Sequence, residues 1–178
     1  MTDSKPNLIL IGLRASGKST LGALLADSLS VGFVDLDDVT SALLKADGAG
    51  AAIATHGINT FRDAEAKALE SVLAQSNQVI ALGGGTPTAP GCNAMLEKCT
   101  SRVIYLRALP TTLQDRLKAT DNTDRPTLVG SGVIDEVQTL FDQRDNLYRS
   151  LAESVIHTDG LSQDSAMAAL IAVAKAGI

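Results

Sequence analysis

Five short apolar runs divide this chain: LILI (8–11), GFVD (32–35), QVIAL (78–82), RVIYL (102–106) and SVIHT (154–158). Each has the length and composition of a strand buried on both faces. Stretches with helical spacing lie between them. Leu21, Leu24, Leu25 and Leu29 share one face of 18–30, and further helices are expected near 38–46, 60–74, 90–98, 110–119, 133–152 and 162–176. Strand and helix alternating in this way close a core in few ways: a parallel sheet with helices on both faces, an α/β architecture. Ligands of such a sheet bind at the carboxyl ends of its strands. With 178 residues the chain has room for one sizeable core and is read as one domain, 1–178.

The first strand runs directly into GLRASGKST (12–20). Gly12-x-x-x-x-Gly17-Lys18-Ser19, with a strand before it and an amphipathic helix after it, is the pattern of a phosphate-binding loop. The glycines let the backbone bend so that several N–H groups face phosphate oxygens. The helix starting near Lys18 adds the positive end of its dipole. Lys18 supplies a mobile cation for the β- and γ-phosphates, and Ser19 a hydroxyl for Mg²⁺. The candidate nucleotide contacts are therefore Gly12, Ala15, Ser16, Gly17, Lys18, Ser19 and Thr20. The motif points to a nucleoside triphosphate and is silent about the acceptor.

Other stretches bear on the acceptor. The second strand ends FVDLDD, and alternation along a strand puts Asp35 and Asp37 on one face, near the loop. One carboxylate suits a magnesium shell and the next an acceptor hydroxyl; the competing reading is that Asp37 or Asp38 only caps the next helix. Arg62 in NTFRDAE, Arg144 in FDQRDNLYR and Arg125 beside Pro126 are candidates for bidentate recognition of carboxylate or phosphate, against the alternative of solvated surface side chains. GGGTP (83–87) after the third strand is either a plain turn or a close backbone approach to a ligand.

Composition excludes several classes. A net charge of −5 disfavours nonspecific binding to nucleic acid or an anionic membrane. No apolar run reaches membrane-spanning length, and MTDSKPN is not a signal peptide, so a cytoplasmic enzyme without membrane partners is expected. Cys92 and Cys99 have neither CxxC spacing nor a nearby histidine and are read as free thiols. His56 and His157 lack metal-ligand spacing.

GLRASGKST, FVDLD, FRDAE, ALGGGTP, the RP at 125–126 and RDNLYR occur in the order and spacing of shikimate kinases. From about residue 7 to 160 the chain resembles that family. The resemblance implies the three-layer P-loop kinase fold of nucleoside monophosphate kinases, a five-stranded parallel sheet in the order 2-3-1-4-5 and a short mobile lid at about 120–132. It implies ATP-dependent phosphorylation of the 3-hydroxyl of shikimate, within aromatic amino-acid biosynthesis, by a monomer that uses Mg²⁺. Under it, Lys18 and Ser19 hold triphosphate and metal, and Asp35 orders the metal's water shell. Asp37 binds ring hydroxyls and orients or deprotonates the attacking one. Arg62 and Arg144 grip the shikimate carboxylate, and Gly83, Gly84 and Gly85 line its pocket. Arg125 swings in with the lid to the transferring phosphate, and Arg116 packs on adenine. Two departures stand out: Arg14 and Ala15 where many members have a small or apolar residue and a glycine, and HTDGLSQ without the asparagine and proline usual near the base. A kinase of the same fold for another acceptor, such as gluconate, and a catalytically inactive regulator compete with this reading; Lys18, Asp37 and Arg125 together argue against the regulator. The 120–132 stretch is short for an adenylate kinase lid.

Overall fold

A computed structural model describes residues 5–119, 132 and 134–176. Its strands are β1 (Leu8–Ile11), β2 (Gly32–Asp35), β3 (Gln78–Ala81), β4 (Arg102–Arg107) and β5 (Ser154–His157). Its helices among the described residues are α1 (Lys18–Leu29), α2 (Leu36–Leu43), α3 (Ala49–His56), α4 (Ile58–Leu73), α5 (Cys92–Lys98), α6 (Pro110–Lys118), α7 (Glu136–Leu151) and α8 (Gln163–Lys175), with a 3₁₀ turn at Thr86–Thr88. All strand pairs are parallel and the sheet order is β2-β3-β1-β4-β5, as the resemblance implies.

The alternation along β1 shows why its run is apolar throughout. Leu8 and Leu10 enter one core with Leu21, Leu25, Val79, Ile104 and Leu170, under α1 and α8. Ile9 and Ile11 enter the other with Leu69, Ile80, Tyr105, Leu140 and Tyr148, under α4 and α7. Strands covered on both faces have no solvent side on which polar residues would fall.

Two local expectations are corrected. Helix α3 falls where only the glycines of DGAG were expected between two helices. Its one fully buried residue is Ala52, so it carries no stripe of large apolar side chains. Strand β2 ends at Asp35 and α2 begins at Leu36, so strand alternation does not extend to Asp37. The helix cap is Asp35, which accepts the Asp37 N–H at 3.1 Å; neither Asp37 nor Asp38 is the cap.

Candidate active site

The loop between β1 and α1 lies at the carboxyl end of the sheet. Gly17 takes φ +96°, a conformation open to glycine at little cost, and delivers the chain into α1. Ala15 takes φ +64° without that freedom. Strained non-glycine backbone of this kind persists only where its surroundings hold it. Here the Arg116 guanidinium donates to the Ala15 carbonyl (3.3 Å) while also donating to the backbone carbonyl (2.7 Å) and hydroxyl (3.2 Å) of buried Thr158. Arg116 thus ties α6, the loop and the end of β5 together.

Within the loop, Lys18 is buried and donates from Nζ to the Leu13 carbonyl at 2.9 Å. The Ser16 hydroxyl is buried and has no hydrogen-bond partner among the described residues. A buried lysine beside a helix N-terminus, both open to the cleft, fits a phosphate group. Ser19 Oγ donates to Asp35 Oδ2 at 2.6 Å. No cluster of three or more His, Cys, Asp or Glu placed to hold a metal occurs among the described residues. A hydroxyl and one carboxylate, completed by phosphate and water oxygens, is the hard-oxygen set that Mg²⁺ takes.

Across the cleft stands the acceptor side. Asp37, in the first turn of α2, has its carboxyl pushed up to about 6. Burial is the main cause, and Asp35 and Glu65 add to it against the pull of Lys18 and Arg62. Fully buried Glu65, one turn along α4 from Arg62, accepts from the Arg62 guanidinium and from Thr86 Oγ1 (2.5 Å). Each glycine of the triplet is crowded. A β-carbon on Gly83 would overlap Asp37, Glu65 and Thr86, and one on Gly85 would overlap the Arg62 guanidinium. One on Gly84 would press within 3.3 Å of the Arg14 backbone nitrogen. The Gly84 carbonyl accepts from Arg144 Nη1 (2.7 Å) and from the Tyr148 hydroxyl.

Lys18, Ser19, Asp35, Asp37, Arg62, the three glycines, Arg116 and Arg144 all line one cleft of about 710 Å³. Gly17, Ala15 and Thr20 line it too, whereas Gly12 and Ser16 form the turn behind it. Arg125 and the lid expected around it lie outside the described residues. Sequence reading missed Glu65 and Tyr148. Each stands one turn beyond a singled-out arginine, at i+3 from Arg62 and i+4 from Arg144, and that helical spacing was the available signal. It also missed the wall that Ala49 and Ile53 of α3 add. Cys92 and Cys99 are free thiols, and burial pushes Cys92 up to about 11.

The family model for shikimate kinase matches residues 14–175. A shikimate kinase of Rhodopirellula baltica is 38% identical over 178 residues, covering 97% of this chain and 92% of that one. A shikimate kinase 2 of Escherichia coli is 40% identical over 150 residues, 84% of each chain. Among solved structures, shikimate kinase from Acinetobacter baumannii in complex with shikimate superposes with a TM-score of 0.85, at 26% identity, over 98% of this chain and 96% of that one. With a match along almost its whole length, and with a phosphate-binding loop and an arginine-flanked carboxylate in one cleft, this chain belongs to the shikimate kinase family.

Proposed function

We infer that this chain transfers the γ-phosphoryl group of ATP to the 3-hydroxyl of shikimate, giving shikimate 3-phosphate and ADP on the route to chorismate and the aromatic amino acids. Residues 1–178 act as one domain, monomeric and cytoplasmic, without nucleic-acid or membrane partners. Among the described residues no helix is long and apolar enough to cross a membrane. The observation that carries the reading is the buried carboxylate of Asp37, set against the triple glycine in the cleft that the phosphate-binding loop enters.

Loop N–H groups and Lys18 bind the triphosphate, and Lys18 meets the charge that grows on the transferring group. Ser19 and Asp35 would hold Mg²⁺, which would neutralise phosphate charge. Arg62 and Arg144 clamp the shikimate carboxylate, and the crowded glycines bring backbone close to the ring. Asp37 orients the 3-hydroxyl and takes its proton as that oxygen bonds to the γ-phosphorus. The bond from the γ-phosphorus to the β-γ bridging oxygen breaks, and its electron pair leaves with ADP. Arg116 braces the loop on the nucleotide side, and Arg125 is assigned the transferring phosphate. The test is an ADP-release assay with Mg-ATP and shikimate, with gluconate as control acceptor. Release that depends on shikimate and not on gluconate is expected; release with gluconate alone would overturn the acceptor assignment.

A further inference from the structure

Helix α7 carries two rows of side chains that meet different partners. Arg144 and Tyr148 reach the Gly84 carbonyl. The adjacent row, Asp145 and Arg149, faces the end of β4. Asp145 Oδ1 accepts from the Tyr105 hydroxyl (2.9 Å) and from Arg107 Nε (2.8 Å). Asp145 Oδ2 accepts from Arg107 Nη2 (3.2 Å) and Arg149 Nε (2.9 Å). The carboxylate is only 14% exposed. Burial pushes its carboxyl up, and the hydrogen bonds from Arg107, Arg149 and Tyr105 together outweigh that and leave it below its ordinary value. The Arg107 guanidinium also lies 4.8 Å from the centroid of the Phe141 ring, on the same helix. The Tyr105 ring meets Tyr148 edge to face, with centroids 5.3 Å apart.

The last residues of β4 therefore grip α7 at Phe141, Asp145 and Tyr148, on both sides of Arg144. Two parallel N–H···O bonds from Arg107 fix a carboxylate in direction as well as distance, which a single charge contact does not. A helix held in this way cannot slide or roll along the sheet, so the root of the Arg144 side chain is set. The Gly84 carbonyl is set with it. Because the peptide is planar and trans, holding that carbonyl also fixes the direction of the Gly85 N–H.

We propose that Asp145, locked to the end of β4 by Arg107, is a positioning residue for acceptor binding: it fixes α7 so that Arg144 and the Gly84–Gly85 peptide meet the acceptor in one geometry. The proposal rests on the functional reading above and acts through Arg144 rather than on the reacting atoms.

Steady-state kinetics on wild type, Asp145→Asn, Arg107→Gln, their double variant and Arg149→Gln test it. Asp145→Asn is expected to raise KM for shikimate on the order of tenfold, as coupled side chains in one network typically do. KM for ATP and kcat stay within about threefold, because the phosphate-binding loop is not part of the network. Arg107→Gln, which leaves the carboxylate its bonds from Tyr105 and Arg149, gives a smaller rise and covers the case in which Asp145→Asn fails to fold. The double variant is no worse than the worse single variant. Arg149 is exposed, and Arg149→Gln changes little. Equal losses for ATP and shikimate, a fall in kcat at unchanged KM, additive effects in the double variant, or the same rise in Arg149→Gln would overturn the proposal. Wild type active on shikimate beside unaffected Asp145→Asn and Arg107→Gln removes the proposal alone. Wild type inactive on shikimate removes the functional reading, and the proposal with it.

Discussion

Replacing Asp37 with asparagine is expected to make the protein more stable and nearly inactive at once. In the folded chain the Asp37 carboxyl lies at about 6 against an ordinary 3.8. The folded state therefore holds an extra proton between those values, and stability is fullest below about pH 4, falls as pH rises through 6, and then levels off. A shift of about two units at 1.36 kcal/mol per unit gives an upper figure of roughly 3 kcal/mol. Part of the carboxylate faces the cleft, so screening lowers this, and a gain of about 1–2 kcal/mol in Asp37→Asn above pH 7 is expected. For a chain of this size that is a rise in Tm of roughly 3–6 °C. The gain shrinks towards pH 5, where wild-type Asp37 is largely protonated. Because Asp35 is the cap, helix α2 keeps its N-terminal bond in the variant. Meanwhile kcat/KM for shikimate falls about a hundredfold or more, as loss of a general base commonly does. Thermal melts at pH 5 and pH 8, an ADP-release assay and a nucleotide titration measure the three quantities. Activity within about threefold of wild type, a change under roughly 1 kcal/mol, would refute the catalytic assignment. A variant no more stable at pH 8 than at pH 5, relative to wild type, would refute the electrostatic reasoning.

In wild type the same group places the acid limb of the kcat/KM profile near pH 6, and a profile flat down to pH 5 would contradict it. Lys18→Met should leave the fold intact and lower turnover on the order of 10²–10³-fold, checked by kinetics beside circular dichroism. Arg62→Ala and Arg144→Ala should each weaken shikimate about ten- to hundredfold and ATP far less, by titration calorimetry. They should differ in stability. Removing Arg62 leaves the buried Glu65 carboxylate its bond from Thr86 but no counter-charge and costs about 3–5 kcal/mol, whereas the neutral Gly84 carbonyl freed of Arg144 still has Tyr148.

The fold was legible where period and burial agree. The apolar runs mark all five strands, but burial on both faces holds only for the inner strands β1, β3 and β4. The edge strands β2 and β5 are partly exposed, against the expectation for their runs, because each has a neighbour on one side only. The phosphate-binding loop was legible because its chemistry is written in consecutive residues. Strand order, by contrast, came from family likeness, since pairing between distant runs leaves no local trace. Helix α3 was invisible because alanine and glycine bury little on any face. At Asp37, alternation was the wrong reason for a right position: the chain turns into a helix one residue after Asp35, and the turn carries Asp37 into the cleft. Its raised pKa comes chiefly from burial, with Asp35 two residues away and Glu65 on another helix adding to it, and no spacing rule encodes the burial or the approach of Glu65. Glu65 and Tyr148 were within reach of helical periodicity applied outward from each arginine.

The crowding around the triple glycine divides the acceptor pocket into walls that can be rebuilt and walls that cannot. A side chain at Gly83 or Gly85 would displace Asp37, Glu65, Thr86 or the Arg62 guanidinium from the site, and one at Gly84 would press on the Arg14 backbone, whatever acceptor was offered. Helix α3 offers the opposite case. Ala49 and Ile53 line the same cleft from a helix that hides only Ala52, so their side chains can grow or shrink with little core to disturb. Retargeting this enzyme to a larger or less polar alcohol should begin at those two positions, with the glycines and both arginines left as they are.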